Sequence, residues 1–89
     1  METKKSLDEL LNGSIEEQRK WIEDRIGREF KVKYSLVYLH GKMVRGKIKP
    51  LQKGYFGYSV IWEATFTDGF KANYCTDIDR FIKDYYDQL

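Results

Sequence analysis

Apolar residues recur at two different spacings along the chain, and the first part has helical spacing. Ser6 and Ser14 each stand three residues before a glutamate, the arrangement in which a serine side chain caps the first turn of a helix. We therefore predict a short helix near residues 7–11 and a longer one near 15–26, separated at Gly13 by backbone that favours a positive φ. A single kinked helix is the alternative.

From residue 30 onward the apolar positions alternate with polar ones, which is the period of a half-buried β-strand. Runs of this kind cover residues 30–38, 44–49, 58–66 and 70–74. The final run, over 76–89, returns to helical spacing, with a core-facing stripe at Ile78, Phe81, Ile82, Tyr85 and Leu89.

The connection between the first two strands is predicted to be a three-residue loop over 39–41 that ends on a glycine in the left-handed region. This loop would pair Val32 with Ile48 and Lys33 with Lys47. The apolar faces of the two strands then coincide, as a half-buried sheet requires.

The connection between the last two strands is also predicted to be a three-residue loop. It pairs Phe66 with Phe70 and Trp62 with Tyr74, so that large apolar side chains lie opposite one another. A two-residue turn would instead place Phe66 opposite Lys71 and mix the two faces.

These elements predict one α+β domain: a four-stranded antiparallel β-meander with the N-terminal and C-terminal helices on one face and water on the other. The expected parts are an acidic helical segment (1–29), the sheet (30–74) and the C-terminal helix (76–89). A chain of 89 residues supports one modest core. A small curled barrel is the alternative, since Gly46 and Gly57 suit bends.

Charge is distributed far less evenly than its total indicates. The chain holds 16 Lys and Arg against 14 Asp and Glu, yet residues 30–53 carry seven cations and no carboxylate. The candidate binding residues in this block are Lys31, Lys33, Arg45, Lys47, Lys49 and Lys53. Opposed cations repel across strands, and nucleic-acid phosphates would relieve that cost. We predict nucleic-acid binding through this basic sheet face; protection of a sheet edge against aggregation is the alternative for Lys31 and Lys33.

Two aromatic residues, Tyr55 and Phe56, lie between glycines beside the basic block. Rings exposed in such a loop stack on unpaired bases or anchor a protein partner, while buried ones extend the core. The second functional hypothesis is therefore a protein-binding inhibitor or adaptor, such as a small mobile-element-encoded protein that acts on a host protein or nucleoprotein.

Catalytic and metal chemistry find no support in the spacing of the residues. The chain has one histidine, His40, and one cysteine, Cys75, which are too few for a metal cluster and have no partner at a catalytic spacing. We therefore expect no enzyme activity, no cofactor and no metal. No apolar run reaches the length of a membrane span and no secretory signal is visible, so we expect a cytoplasmic protein with no membrane partner.

Overall fold

The structure, a computed structural model, describes residues 6–33, 39–50, 52–54 and 57–89, without the side chains of residues 52–54, 57 and 58. Its elements follow in the order α1 (Leu7–Leu11), α2 (Ile15–Glu23), β1 (Glu29–Lys31), β2 (Met43–Ile48), β3 (Gln52–Gly54), β4 (Gly57–Phe66), β5 (Lys71–Asp77), α3 (Ile78–Tyr85) and a 3₁₀ turn over Tyr86–Gln88. This is the predicted α+β order with one further short strand, β3.

Both N-terminal helices begin at the predicted serine caps. The hydroxyl oxygens of Ser6 and Ser14 each accept a hydrogen bond from the backbone N–H three residues on, at 3.2 Å. The two-helix prediction is confirmed, and the kinked single helix is wrong. The break at Gly13 is made without the expected positive φ, so that part of the prediction is wrong. α2 ends at Glu23, three residues earlier than predicted, because the chain turns to join the sheet: the N–H of Gly27 donates to the carbonyl of Ile48 at 2.8 Å.

The strands form one antiparallel sheet. β4 pairs with β5 along one side and with both β2 and β3 along the other. β2 and β3 therefore lie end to end along the same side of β4. They are interrupted near Pro50, which has no backbone N–H to donate to a neighbouring strand. With β1 beside β2, the predicted four-stranded meander is confirmed. The barrel alternative is wrong, because β1 and β5 are separate edges that do not pair.

The helices cover one face of the sheet, as predicted. Alternate residues of β4 are buried on that face, namely Val60, Trp62, Ala64 and Phe66. The whole predicted stripe of the C-terminal helix is buried against them. The three-residue loop before β5 is also confirmed: the N–H of Phe66 donates to the carbonyl of Phe70 at 2.8 Å, and Trp62 lies opposite Tyr74.

The register between β1 and β2 differs from the predicted one by four residues, because Lys47 lies opposite Glu29 instead of Lys33. The prediction was wrong because Phe30 lies opposite Gly46 and its ring fills the space that the glycine leaves. A Cβ added at Gly46 would lie 2.7 Å from Cε2 of Phe30 and closer still to Cζ. The Phe30 ring also packs against two aromatic rings of α3, at centroid distances of 4.3 Å to Tyr85 and 5.1 Å to Phe81.

A β-bulge at the start of β2 turns one apolar residue outward. The register shifts between Met43 and Arg45, which leaves Val44 as the extra residue. Met43 is buried opposite Phe66, whereas Val44 is 41% exposed. The alternation over the predicted strand 44–49 implies that Val44, like Ile48, faces the core; this is wrong for Val44, and the bulge keeps Arg45 on the side that the helices leave open.

We predict that Gly46→Ala lowers the free energy of unfolding by about 1–3 kcal/mol, because it overpacks a filled core. Phe30→Leu removes the outer edge of the ring and is expected to relieve part of this cost. The double variant should then be more stable than the sum of the two single losses implies. Urea unfolding of the four proteins measures the coupling, and strictly additive losses would contradict the contact.

Candidate functional site

The face of the sheet that the helices leave uncovered, called here the open face, collects most of the predicted cations. In the observed register, the strand pairings and one ion pair place five cationic side chains on it, namely Lys31, Arg45, Lys47, Lys49 and Lys71. It also holds the carboxylates Glu29, Glu63 and Asp77. The open face is therefore positively charged, but it also carries acidic groups, which the basic block of the sequence does not contain.

Two rows of opposed residues cross the open face from β1 to β5. The first, called the basic row, consists of Lys31, Arg45, Thr65 and Lys71. The second, called the mixed row, consists of Glu29, Lys47, Glu63 and Asn73. With strands about 4.8 Å apart, the basic row spreads its cations over about 14 Å.

The β1–β2 register brings Lys31 and Arg45 close together. The N–H of Ile48 donates to the carbonyl of Arg28 at 3.0 Å, so alternation along the pair makes Lys31 and Arg45 a non-hydrogen-bonded pair. In such pairs the Cα atoms lie only about 4.5 Å apart and the side chains are closest. Like-charged side chains that are opposed in this way repel, and an anion bound between them would remove that cost.

Ion pairs neutralise only part of the open face. Arg45 Nη1 lies 3.0 Å from Glu29 Oε2, and Lys49 Nζ lies 3.9 Å from Glu63 Oε2. Both pairs are open to solvent, where such contacts contribute little to stability. Within the described part of the chain, no ion pair is formed by the remaining cations of the face, Lys31, Lys47 and Lys71.

The structure separates some of the other predicted site residues from this face. Lys33 follows the end of β1, and its Nζ lies 3.4 Å from Asp87 Oδ1, at the C-terminal 3₁₀ turn. The predicted pairing of Lys33 with Lys47 is wrong, since β1 ends at Lys31. Lys53 lies in β3, but its side chain is outside the described part, and so are Tyr55 and Phe56 entirely.

Lys71 belongs to the open face although it is not among the binding residues predicted from the sequence. It lies outside the basic block of residues 30–53, but the β4–β5 register places it opposite Thr65. That register follows from the three-residue loop, so the signal was present in the sequence. The acidic Glu29 and Glu63 reach the face in the same way, by strand pairing from outside the block.

A side chain closes the outer edge of β1 and holds Lys31 in place. The Gln88 side-chain amide accepts from the Lys31 N–H at 2.7 Å and donates to the Lys31 carbonyl at 3.0 Å. It thereby occupies both outward backbone groups of this residue, as a further strand would. Lys31 is thus anchored through its backbone while its side chain stays exposed.

His40 and Cys75 lie on different sides of the sheet. The His40 ring stacks on Phe70 on the helix side, at a centroid distance of 3.8 Å, whereas Cys75 is exposed on the open face. Among the described residues, no group of three or more His, Cys, Asp or Glu side chains could hold a metal ion. None of the helices in that part of the chain is long and apolar enough to cross a membrane.

Comparisons of the chain with protein-family models, with curated proteins and with solved structures find no match.

The stability of the fold is expected to depend on the ionisation of Asp68, in the loop before β5. Its carboxylate accepts from the Phe70 N–H at 2.9 Å and lies 2.8 Å from His40 Nδ1, and these two hydrogen bonds lower the pKa of Asp68 below its usual value. A lowered pKa in the folded state adds stability above the pKa of the unfolded chain, and this is lost as the pH falls through the folded-state pKa.

Asp68→Asn should therefore lower the Tm most at neutral pH, and the difference from the wild type should shrink below about pH 4. Thermal unfolding between about pH 2 and pH 7 measures this dependence. A difference in Tm that is constant over the whole range would show that the charge of Asp68 contributes nothing.

Proposed function

We propose that this chain is a small, non-enzymatic nucleic-acid-binding module that uses the open face of its sheet. The observation that carries the proposal is the basic row, in which Lys31 and Arg45 stand directly opposed and Lys71 lies on the same line. Phosphate groups placed along this row relieve the repulsion between the two cations and release condensed counterions, which is the main source of nonspecific affinity.

The chemistry of the row favours the backbone of the nucleic acid over its bases. Arg45 carries a planar fork of donors that matches a phosphate, the lysines act as point charges, and the Thr65 hydroxyl adds a donor. The carboxylates of the mixed row repel phosphates, so the nucleic-acid strand should follow the basic row across the sheet. We therefore expect binding with strong salt dependence and little sequence preference.

The proposed function also points to a cellular compartment. A nucleic-acid partner and an exposed lone thiol, Cys75, both fit the reducing cytoplasm, and we propose that the protein acts there. No cofactor, metal or membrane partner has a part in this function.

The alternative is a protein-binding inhibitor or adaptor. The observation that favours it is the mixed row, where Lys47 stands between Glu29 and Glu63. Alternating charge of this kind suits a complementary protein surface better than a uniformly negative polymer. The binding experiment below separates the two functions.

The test compares two variants with the same change in net charge. Lys31→Gln/Arg45→Gln removes two charges from the basic row, while Lys20→Gln/Lys83→Gln removes two from exposed positions on the helices. Fluorescence polarisation with labelled single-stranded and duplex oligonucleotides, over a series of salt concentrations, gives Kd and its salt slope. Circular dichroism checks that both variants fold.

We expect the basic-row variant to raise Kd about ten-fold or more at low salt and to flatten the slope of log Kd against log salt by about 1.8 on duplex and 1.4 on single strands. The helix variant should change the slope little. Equal losses in both variants would show that net charge alone is responsible. Absence of wild-type binding at low salt would exclude nucleic acid and favour the protein-binding alternative.

A further inference from the structure

β5 is the second edge of the sheet, and no strand in the described part of the chain pairs with its outer side. It runs for seven residues, Lys71–Asp77, without proline. Gln88 closes the outer edge of β1, but no described side chain does the same for β5. An edge strand of this length that is neither capped nor broken is a template for pairing with another strand.

The hydrogen bonds of β5 determine which of its backbone groups face outward. The Phe66 N–H donates to the Phe70 carbonyl at 2.8 Å, so Phe70 belongs to a hydrogen-bonded pair with β4. Because such pairs alternate along antiparallel strands, the next ones are at Ala72, Tyr74 and Thr76. The N–H and carbonyl groups that point away from the sheet are therefore those of Lys71, Asn73, Cys75 and Asp77.

We propose that a second copy of this chain pairs antiparallel with β5, about a two-fold axis at Tyr74. Lys71 of each copy then lies opposite Asp77 of the other, so opposite charges meet at both ends of the new pair. Asn73 lies opposite Cys75 of the second copy. The four residues whose backbone N–H and carbonyl groups point away from the sheet therefore pair only with one another. A shift of two residues in either direction leaves Lys71 or Asp77 without a strand partner.

Side chains on the helix side fit the same arrangement. Tyr74 is 36% exposed, with its ring stacked on Trp62 at 5.3 Å. At the axis the two Tyr74 residues form a non-hydrogen-bonded pair, where side chains approach most closely, and each covers the other. One strand pair is smaller than the interface of a permanent dimer, so the association is weak and depends on concentration. It does not rest on nucleic-acid binding, since its hydrogen bonds are made by the backbone at the sheet edge, although Lys71 also belongs to the basic row.

A disulfide trap tests the register. In a hydrogen-bonded pair the Cα atoms lie about 5.5 Å apart, within disulfide range, so Asn73→Cys should oxidise to a covalent dimer. Peptide mapping should find the introduced cysteine joined to Cys75 of the second copy. The wild type, whose two Cys75 residues are diagonal neighbours, should not cross-link under the same conditions. Monomers only, or links exclusively between identical positions, would overturn the proposal.

A charge exchange tests the ion pairs by sedimentation equilibrium. Lys71→Asp and Asp77→Lys each place like charges at both ends of the strand pair and should raise the dimer Kd about ten-fold. The Asp77 side chain makes no capping hydrogen bond to α3, so its replacement breaks no such bond, but a lysine there opposes the dipole of α3, and circular dichroism checks that the helix still forms. The double variant restores both pairs and should return Kd to within about two-fold of the wild type. A wild type that is monomeric up to about 1 mM, or a double variant no tighter than the singles, would overturn the proposal.

Discussion

The ring of Phe30 packed over Gly46 is the contact on which both the sheet and its charged face depend. The ring is 3% exposed and reaches three other aromatic rings of the core, so it ties β1 to β2, β4 and α3 at one point. A side chain at residue 46 would occupy the position of the ring. Sliding β1 along β2 would move Phe30 away from the only glycine of that strand, and the register is therefore set by core packing.

The same contact decides which charges meet on the opposite face. With Phe30 at Gly46, the next residue, Lys31, must lie opposite Arg45. An opposed like-charge pair costs up to about 1 kcal/mol, whereas burial of a phenylalanine contributes about 1.5–3 kcal/mol, so the core prevails. The cation pair is thus held together by hydrophobic packing on the other side of the strand, and an anion can use the repulsion that remains.

Local signals predicted much of the fold. The caps at Ser6 and Ser14, the loop before β5 and the stripe of α3 all depend on residues close in sequence, and all are confirmed. The β1–β2 register was missed because it depends on the contacts of one ring with residues far along the chain. Because the register differs by an even number of residues, each side chain keeps the face of the sheet that was predicted for it. The alternation therefore still predicted that Lys31, Arg45, Lys47 and Lys49 share one face. Lys71, Glu29 and Glu63 join them only through strand pairing, which a block of charge in the sequence does not reveal.

The most direct test of this account is the β1–β2 register in solution, measured by nuclear Overhauser effects on the isotopically labelled protein. Non-hydrogen-bonded pairs bring Hα atoms of opposite strands close together. The contact of Phe30 with Gly46 predicts strong Hα–Hα cross-peaks between Lys31 and Arg45 and between Glu29 and Lys47. Cross-peaks that instead join Val32 to Ile48 or Lys33 to Lys47 would place the Phe30 ring away from Gly46. Lys31 would then no longer lie opposite Arg45, which would contradict the account.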